Sequence, residues 1–191
     1  MFRGMDFALN VMIMKSIDTI FTIGHSNTSV EDFILKLKSF QIEHIADIRH
    51  FPGSRKYPWF NKENLSEKLK DEGIDYTHVL LLGGRRPPEK NSHNTSWTHP
   101  AFRGFADYME KDDFKKGMEI LLSIAEKERT AIMCSEVLWW RCHRSMISDY
   151  LLNKGIKVMH IMGVSNSKEH RYTAQAKIIN GKLSYREERL F

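Results

Sequence analysis

The most reactive side chains in the sequence are two cysteines, and they stand in a segment dense in chemical partners. It runs Cys134-Ser-Glu136, then Val-Leu-Trp139-Trp140-Arg141, then Cys142-His143-Arg144. A thiolate is a nucleophile and a metal ligand, and it forms where a helix N-terminus or a cation lowers the thiol pKa. Thr130 to Met133 reads as a short strand delivering Cys134, and Met146, Ile147, Tyr150 and Leu151 are spaced for a helix that Gly155 ends. Cys142 therefore falls at a helix start, where free backbone N–H groups and the macrodipole favour a thiolate or a bound anion. The two thiols are expected to differ, with Cys142 the more easily ionised. The bland alternative is that either cysteine is a small buried hydrophobe.

Two familiar site types can be compared with this segment. Oxyanion-holding Cys-x5-Arg loops differ from it by one residue, because Cys134 and Arg141 enclose six. Cys134, Glu136, Cys142 and His143 are all side chains that take zinc, which is the metal such a set would hold, but their spacing matches no structural zinc knuckle. No metal site is assigned on this basis.

Other candidates lie where strands give way to loops. Asp47-Ile-Arg49 alternates at the end of a buried run, so both charged side chains face one side and can pair, with Asp47 orienting Arg49. Ser54, Arg55, Arg85, Arg86 and Arg144 would add donors for phosphate or carboxylate. His25 and His170 each follow a strand and could act as acid or base, although isolated histidines are more often structural. Trp139 and Trp140 are the aromatic pair best placed for stacking on a base, with Trp59 and Trp97 in neighbouring loops.

The elements that must position these residues follow from periodicity. Strands are predicted over Thr19 to Ile23, His44 to Ile48, Tyr76 to Leu82, Thr130 to Met133 and Lys157 to Met162. Between them, Val30, Phe33, Ile34 and Leu37 mark a helix with a capping box from Thr28 to Glu31, and Leu65 and Leu69 mark a second. Phe102, Phe105, Ala106 and Met109, then Phe114, Met118, Leu121, Leu122 and Ala125, give two helical faces broken at Asp112-Asp113. Glu89 to Thr98 reads as a long loop. Asn180-Gly181 between Ala174–Ile179 and Leu183–Arg186 signals a hairpin forming an antiparallel edge or flap. Alternating strands and helices imply a mostly parallel, Rossmann-like α/β sheet with helices on both faces. Ligands of such sheets bind outside the carboxyl ends of the strands, so His25, Asp47, Arg49, Cys134, Glu136 and Arg144 are expected around one cleft.

Composition fits this picture. With 191 residues, 41% hydrophobic and 28% charged, the sequence suits one domain at 17–191 preceded by an extension at 1–16. The extension carries Asp6 and no small-residue cleavage pattern, so it does not read as a signal peptide, and no apolar run approaches the roughly 20 residues of a membrane span. A net charge of +5 and a pI near 9.1 favour anionic partners, a phosphate-bearing small molecule or nucleic acid, and no membrane partner is expected. Two cysteines make a poor secreted disulfide framework, which points to a cytoplasmic, reducing location.

Taken together, Thr22-Ile-Gly24-His25-Ser26, Asp47-Ile-Arg49, Pro52-Gly-Ser54-Arg55, Leu82-Gly-Gly84-Arg85, Met133-Cys134-Ser-Glu136 and Cys142-His143-Arg144 resemble, in this order, the pattern of the domain-of-unknown-function family 488. The stretch between Glu136 and Cys142 departs from the short polar or proline-containing segment common in similar proteins. The resemblance implies a shared fold and site and no particular substrate. Three readings therefore stand. The first is a cysteine-dependent enzyme on nucleotides or nucleic acid, with Cys134 or Cys142 as nucleophile, His143 or His25 moving protons, Glu136 orienting, and Arg49, Arg55 and Arg144 holding the anion. The others are a nucleic-acid-binding accessory protein and a metal-binding regulatory module.

Overall fold

The computed structural model describes residues 17–187; the extension at 1–16 lies outside the described residues. In chain order the elements are β1 (Thr19–Gly24), α1 (Val30–Ser39), β2 (His44–Asp47), α2 (Lys62–Asp71), β3 (Asp75–His78), α3 (Pro100–Met109), α4 (Asp112–Ala125), β4 (Thr130–Cys134), α5 (Arg144–Asn153), β5 (Lys157–Gly163), β6 (Asn166–Glu169), β7 (Lys177–Ile179) and β8 (Lys182–Ser184). The main sheet has six strands in the order β3-β2-β4-β1-β5-β6, and every pairing is parallel except β5 with β6. This is the Rossmann-like α/β arrangement that the strand–helix alternation predicts.

Successive strand residues point to opposite faces, and each face needs its own helical cover. Ile20, Ala46, Ile132 and Val158 join Phe105, Phe114, Met118, Leu121, Met146 and Ile147 of α3, α4 and α5 in one core. Phe21, Ile45, Ala131 and Met133 join Phe33, Leu37, Leu65 and Leu69 of α1 and α2 in the other. Pro100 suits the first turn of α3, with His99 capping Ala101 N–H, and Asp112 and Asp113 sit at the positive end of α4.

Several local expectations shift. The cap of α1 is Ser29 accepting from Asp32 N–H, one residue beyond the expected Thr28, because Thr28 still belongs to the turn after β1. The third strand stops at His78. Leu80–Leu82 turns instead as a short 3-10 segment that buries Leu82, and the run of leucines resembles a strand only in composition. The antiparallel edge is β6, a polar strand without periodic signal, whereas the Asn180-Gly181 hairpin forms a separate two-stranded flap. Both turn residues have positive φ, 51° and 75°, as the Asn-Gly dipeptide requires.

The flap is tied down through a buried carboxylate. Asp149 on α5 accepts from His170 Nε2 at 2.9 Å, Thr173 N–H at 2.9 Å, Thr173 Oγ1 at 2.6 Å and Tyr185 Oη at 2.9 Å. Among the described residues no helix is long and apolar enough to cross a membrane. Replacing Asp149 with Ala leaves these buried donors without their acceptor, so Asp149→Ala is expected to cost roughly 3–5 kcal/mol. Denaturant melts give the loss, and hydrogen exchange should place the earliest opening at residues 170–185.

Candidate functional site

The carboxyl ends of β1, β2 and β4 meet at one rim, and the ladder continues past them. His25 N–H donates to Cys134 O at 3.1 Å, and Ser26 N–H to Ser135 O at 2.9 Å. Gly24 lets this happen, since a Cβ there would lie 1.9 Å from Glu136 O. After Glu136 the chain makes a short 3-10 turn, Trp139–Arg141, before Cys142 and α5. The return is held from below by Arg144. Its guanidinium is 1% exposed, donates through Nη2 to Glu136 O and to Val137 O at 3.3 Å, and reaches Thr22 Oγ1 through Nη1 at 3.4 Å.

Arg144 was expected among the rim anion contacts, and it lies beneath the rim instead. The reason is the orphaned carbonyls of the tight return, which need donors that no strand supplies. The hydrogen-bonded chain runs deeper still, from Thr22 Oγ1 to His160 Nδ1 at 2.7 Å, and from His160 Nε2 to His170 Nδ1 at 3.0 Å. His170 then meets Asp149, so the loop and the flap share one buried polar network.

A cavity of about 670 Å³ opens on this rim. His25, Arg49, Ser54, Arg85, Cys134, Glu136, Cys142 and His143 line it, so the structure brings together most of the predicted site. Asp47 stands directly behind it. Fully buried, Asp47 takes Arg49 Nη2 at 2.6 Å and Nε at 3.0 Å, together with Tyr76 Oη at 2.6 Å. Arg49 also donates through Nη1 to Phe60 O at 2.8 Å and contacts His25 Nε2 at 3.3 Å, which leaves one of its five N–H groups uncommitted. Burial works against the Arg49 charge, yet the Asp47 carboxylate more than offsets it and raises the pKa.

His25 stacks on Phe60 with ring centroids 4.0 Å apart. Its Nδ1 sits 2.9 Å from Ser26 O, which can only accept, so the ring proton is there and Nε2 faces Arg49 as an acceptor. Burial and the Arg49 charge lower its pKa to about 4, so it is neutral near pH 7. His143 donates through Nε2 to Ile48 O at 3.3 Å, which leaves Nδ1 as an acceptor 3.5 Å from Cys142 Sγ. Burial lowers its pKa as well.

The two thiols are placed asymmetrically. Burial raises the Cys142 pKa, but the Cys134 S–H, the Arg144 charge and the Arg144 backbone N–H at the head of α5 outweigh it and bring it to about 6. Cys134 moves the opposite way, well above the usual thiol range, because its proton bonds to Cys142 and because it is buried. Both cysteines are free, and Cys134 Sγ, Cys142 Sγ and a His143 ring nitrogen lie within 4.8 Å of one another. These three donors are within reach of one ion. Glu136, the fourth residue of the expected set, is not among them; it lines the cavity, and its Oε1 accepts from Leu138 N–H at 3.1 Å.

Three expectations therefore meet a different placement. Arg55 is exposed and does not line the cavity. Trp139 spends its face on His160, stacked at 4.1 Å and 9°, and neither it nor the exposed Trp140 lines the cavity. Sequence reasoning also missed lining residues: Arg141, His50, His99, Phe102 and Phe105. Phe102 and Phe105 share the apolar face of α3, and nothing in the spacing separates core positions from cavity wall. His99 alone carried a signal, as the residue before Pro100 at a helix start. A second group, His44, Asp75 and Glu128, sits at the opposite ends of the strands, where His44 bonds Glu128 and Thr77.

A Rossmann-like α/β protein with a paired-cysteine cavity at its strand ends is the class these observations define. The family model described as Domain of unknown function DUF488 matches residues 29–151, and the chain belongs to this family. That span holds both cysteines and Arg49, Arg55, Arg85, Arg86, Arg141 and Arg144, and it leaves out Thr22–Ser26 and β5. No curated protein and no solved structure matches the chain.

The depressed histidines make stability depend on pH. Burial lowers His25 to about 4, and burial together with the His170 and Arg144 charges lowers His160 to about 2, whereas unfolded histidines titrate near 6.5. Between these values the unfolded chain binds more protons, so the stabilisation is complete above about pH 6.5 and is lost on acidification. Each histidine is expected to contribute a slope of about 1.4 kcal/mol per pH unit from about pH 6 down to about pH 4. Denaturant melts across that range check it, and His160→Asn should flatten the curve.

Proposed function

We propose that the cavity binds a small phosphate-bearing ligand of nucleotide size and that Cys142 performs chemistry on it. What carries this reading is the placement of Cys142 Sγ, within 4.8 Å of Cys134 Sγ and of a His143 ring nitrogen, on the wall of a cavity whose charged lining is Arg49, Arg85, Arg141 and the single carboxylate Glu136. An anion entering it meets an excess of donors, and a thiolate waits at its floor. Phe51, Tyr57, Phe102 and Phe105 supply the flat apolar walls that suit a base or another ring. Arg85 lies across Phe51 at 5.5 Å and is exposed, so its guanidinium can turn onto a phosphate.

In this reading Cys142 attacks an electrophilic centre of the ligand, and the bond to the leaving group breaks with its electrons going to that group. His143 Nδ1 accepts the Cys142 proton whenever the thiol is protonated and returns it to the leaving group. Arg49, fixed by Asp47, presents its remaining N–H, and Arg85 and Arg141 take the anion that Arg144 and Arg55 were expected to hold. The inward stacking of Trp139 favours a small ligand over nucleic acid. Residues 17–191 act as one domain in this scheme.

Iodoacetamide labelling mapped by mass spectrometry over pH tests it. Cys142 should label with a midpoint near pH 6, Cys134 should stay slow, and adenosine monophosphate or pyrophosphate should protect Cys142. Arg85→Ala and Arg141→Ala should each weaken protection roughly tenfold or more, the worth of a charged hydrogen bond. Two slow thiols with the unperturbed pKa of about 8.5, or labelling indifferent to both anions, would overturn the reading.

A further inference from the structure

We propose that Cys142 and Cys134 form a reversible two-electron thiol–disulfide couple, driven by small hydroperoxides, which switches the site off. The inference rests on the reactive-thiol reading of Cys142 and needs nothing from the identity of the phosphate ligand.

The sequence holds two cysteines only, and the structure places their sulfurs within 4.8 Å of each other on the wall of one open cavity. An oxidised Cys142 therefore has one thiol partner in the chain, and that partner is already beside it. The two sulfurs are reached by a small oxidant through the cavity even though the residues are only 7% and 5% exposed. His143 Nδ1, 3.5 Å from Cys142 Sγ, is a base within reach of its thiol proton.

The chemistry balances with the hydroperoxide as the named oxidant. Cys142 sulfur attacks the terminal peroxide oxygen: an S–O bond forms, the O–O bond breaks, and the alkoxide leaves and takes up a proton as the alcohol. The product is a sulfenic acid. Cys134 sulfur then attacks Cys142 sulfur: the S–S bond forms, the S–O bond breaks, and the departing hydroxide takes the Cys134 proton as water. Overall the two thiols lose two hydrogens, and the peroxide becomes alcohol and water.

Closing the bond to about 2.05 Å requires one sulfur to move. Cys134 ends a strand clamped between β1 and β2. Cys142 is an extended residue joining the 3-10 turn Trp139–Arg141 to α5, so the movement falls on it. With both sulfurs joined, the oxidised site has no free thiol to act as a nucleophile. A dithiol reductant reverses it.

The reduced full chain treated with one equivalent of hydrogen peroxide, followed by intact mass and non-reducing peptide mapping, provides the test. The expected result is loss of two hydrogens, a cross-link between the Cys134 and Cys142 peptides, complete loss of iodoacetamide uptake, and recovery with dithiothreitol. Cys134→Ser should instead give a dimedone adduct at Cys142, and Cys142→Ser should give none at Cys134. Oxidation of the wild-type chain straight to sulfinic acid, a disulfide between two chains, or a dimedone adduct at Cys134 in Cys142→Ser would overturn the couple. An internal disulfide in a protein whose Cys142 is not protected by phosphate compounds removes the ligand reading alone. Protection without a disulfide removes this inference alone.

Discussion

The rest of the site depends on one buried cation. Arg144 is the largest of the side chains with essentially no exposure, and burying a guanidinium is costly unless its donors are met. Among the described residues it makes no carboxylate pair. Its partners are the carbonyls of Glu136 and Val137 and the hydroxyl of Thr22, and its charge helps to lower the Cys142 pKa. Cation and carbonyls stabilise each other, and removing the guanidinium leaves the carbonyls without their donors in a low-dielectric setting. The cost is visible in Arg144 Nε, which has no partner.

Two chemically identical groups stand in different settings. Cys134 ends β4, clamped between β1 and β2. Cys142 is an extended residue immediately before His143, the cap of α5, so the positive end of the helix and the Arg144 charge favour its ionised form. Neighbouring residues then sort by what they touch. Asp47 fixes Arg49 from behind, Phe60 fixes the plane of His25, and Ile48 O fixes the tautomer of His143. A cavity wall of fixed side chains results.

Much of this was legible in the sequence. The alternation of apolar strands and amphipathic helices carried the fold, and the rule that strand carboxyl ends share an edge carried the grouping of His25, Arg49, Cys134 and Glu136. What stayed hidden has physical reasons. Strand β6 is built from Asn, Ser, Lys and Glu and owes its form to pairing with β5 rather than to its own residues. Arg144 looks like any surface arginine until the orphaned carbonyls of the return are known. Trp139 reads as a stacking platform, but the histidine that occupies its face lies 21 positions away on another strand. Phe102 and Phe105 fall on one helical stripe, and periodicity places a residue on a face without telling whether protein or cavity lies opposite.

The flap bears on how the molecule comes into being during synthesis. Asp149 enters the core on α5, yet among the described residues every partner of its carboxylate is supplied by His170, Thr173 and Tyr185, which leave the ribosome later. Until that tail emerges, α5 carries a carboxylate without acceptable burial, and the histidine chain beneath Arg144 is open at its far end. The nascent chain can thus complete β1 through β4 while the loop between its two thiols is still loose. The segment that closes the network is made after every strand of the main sheet, so the loop between the two cysteines is enclosed only once residues 170–185 have emerged.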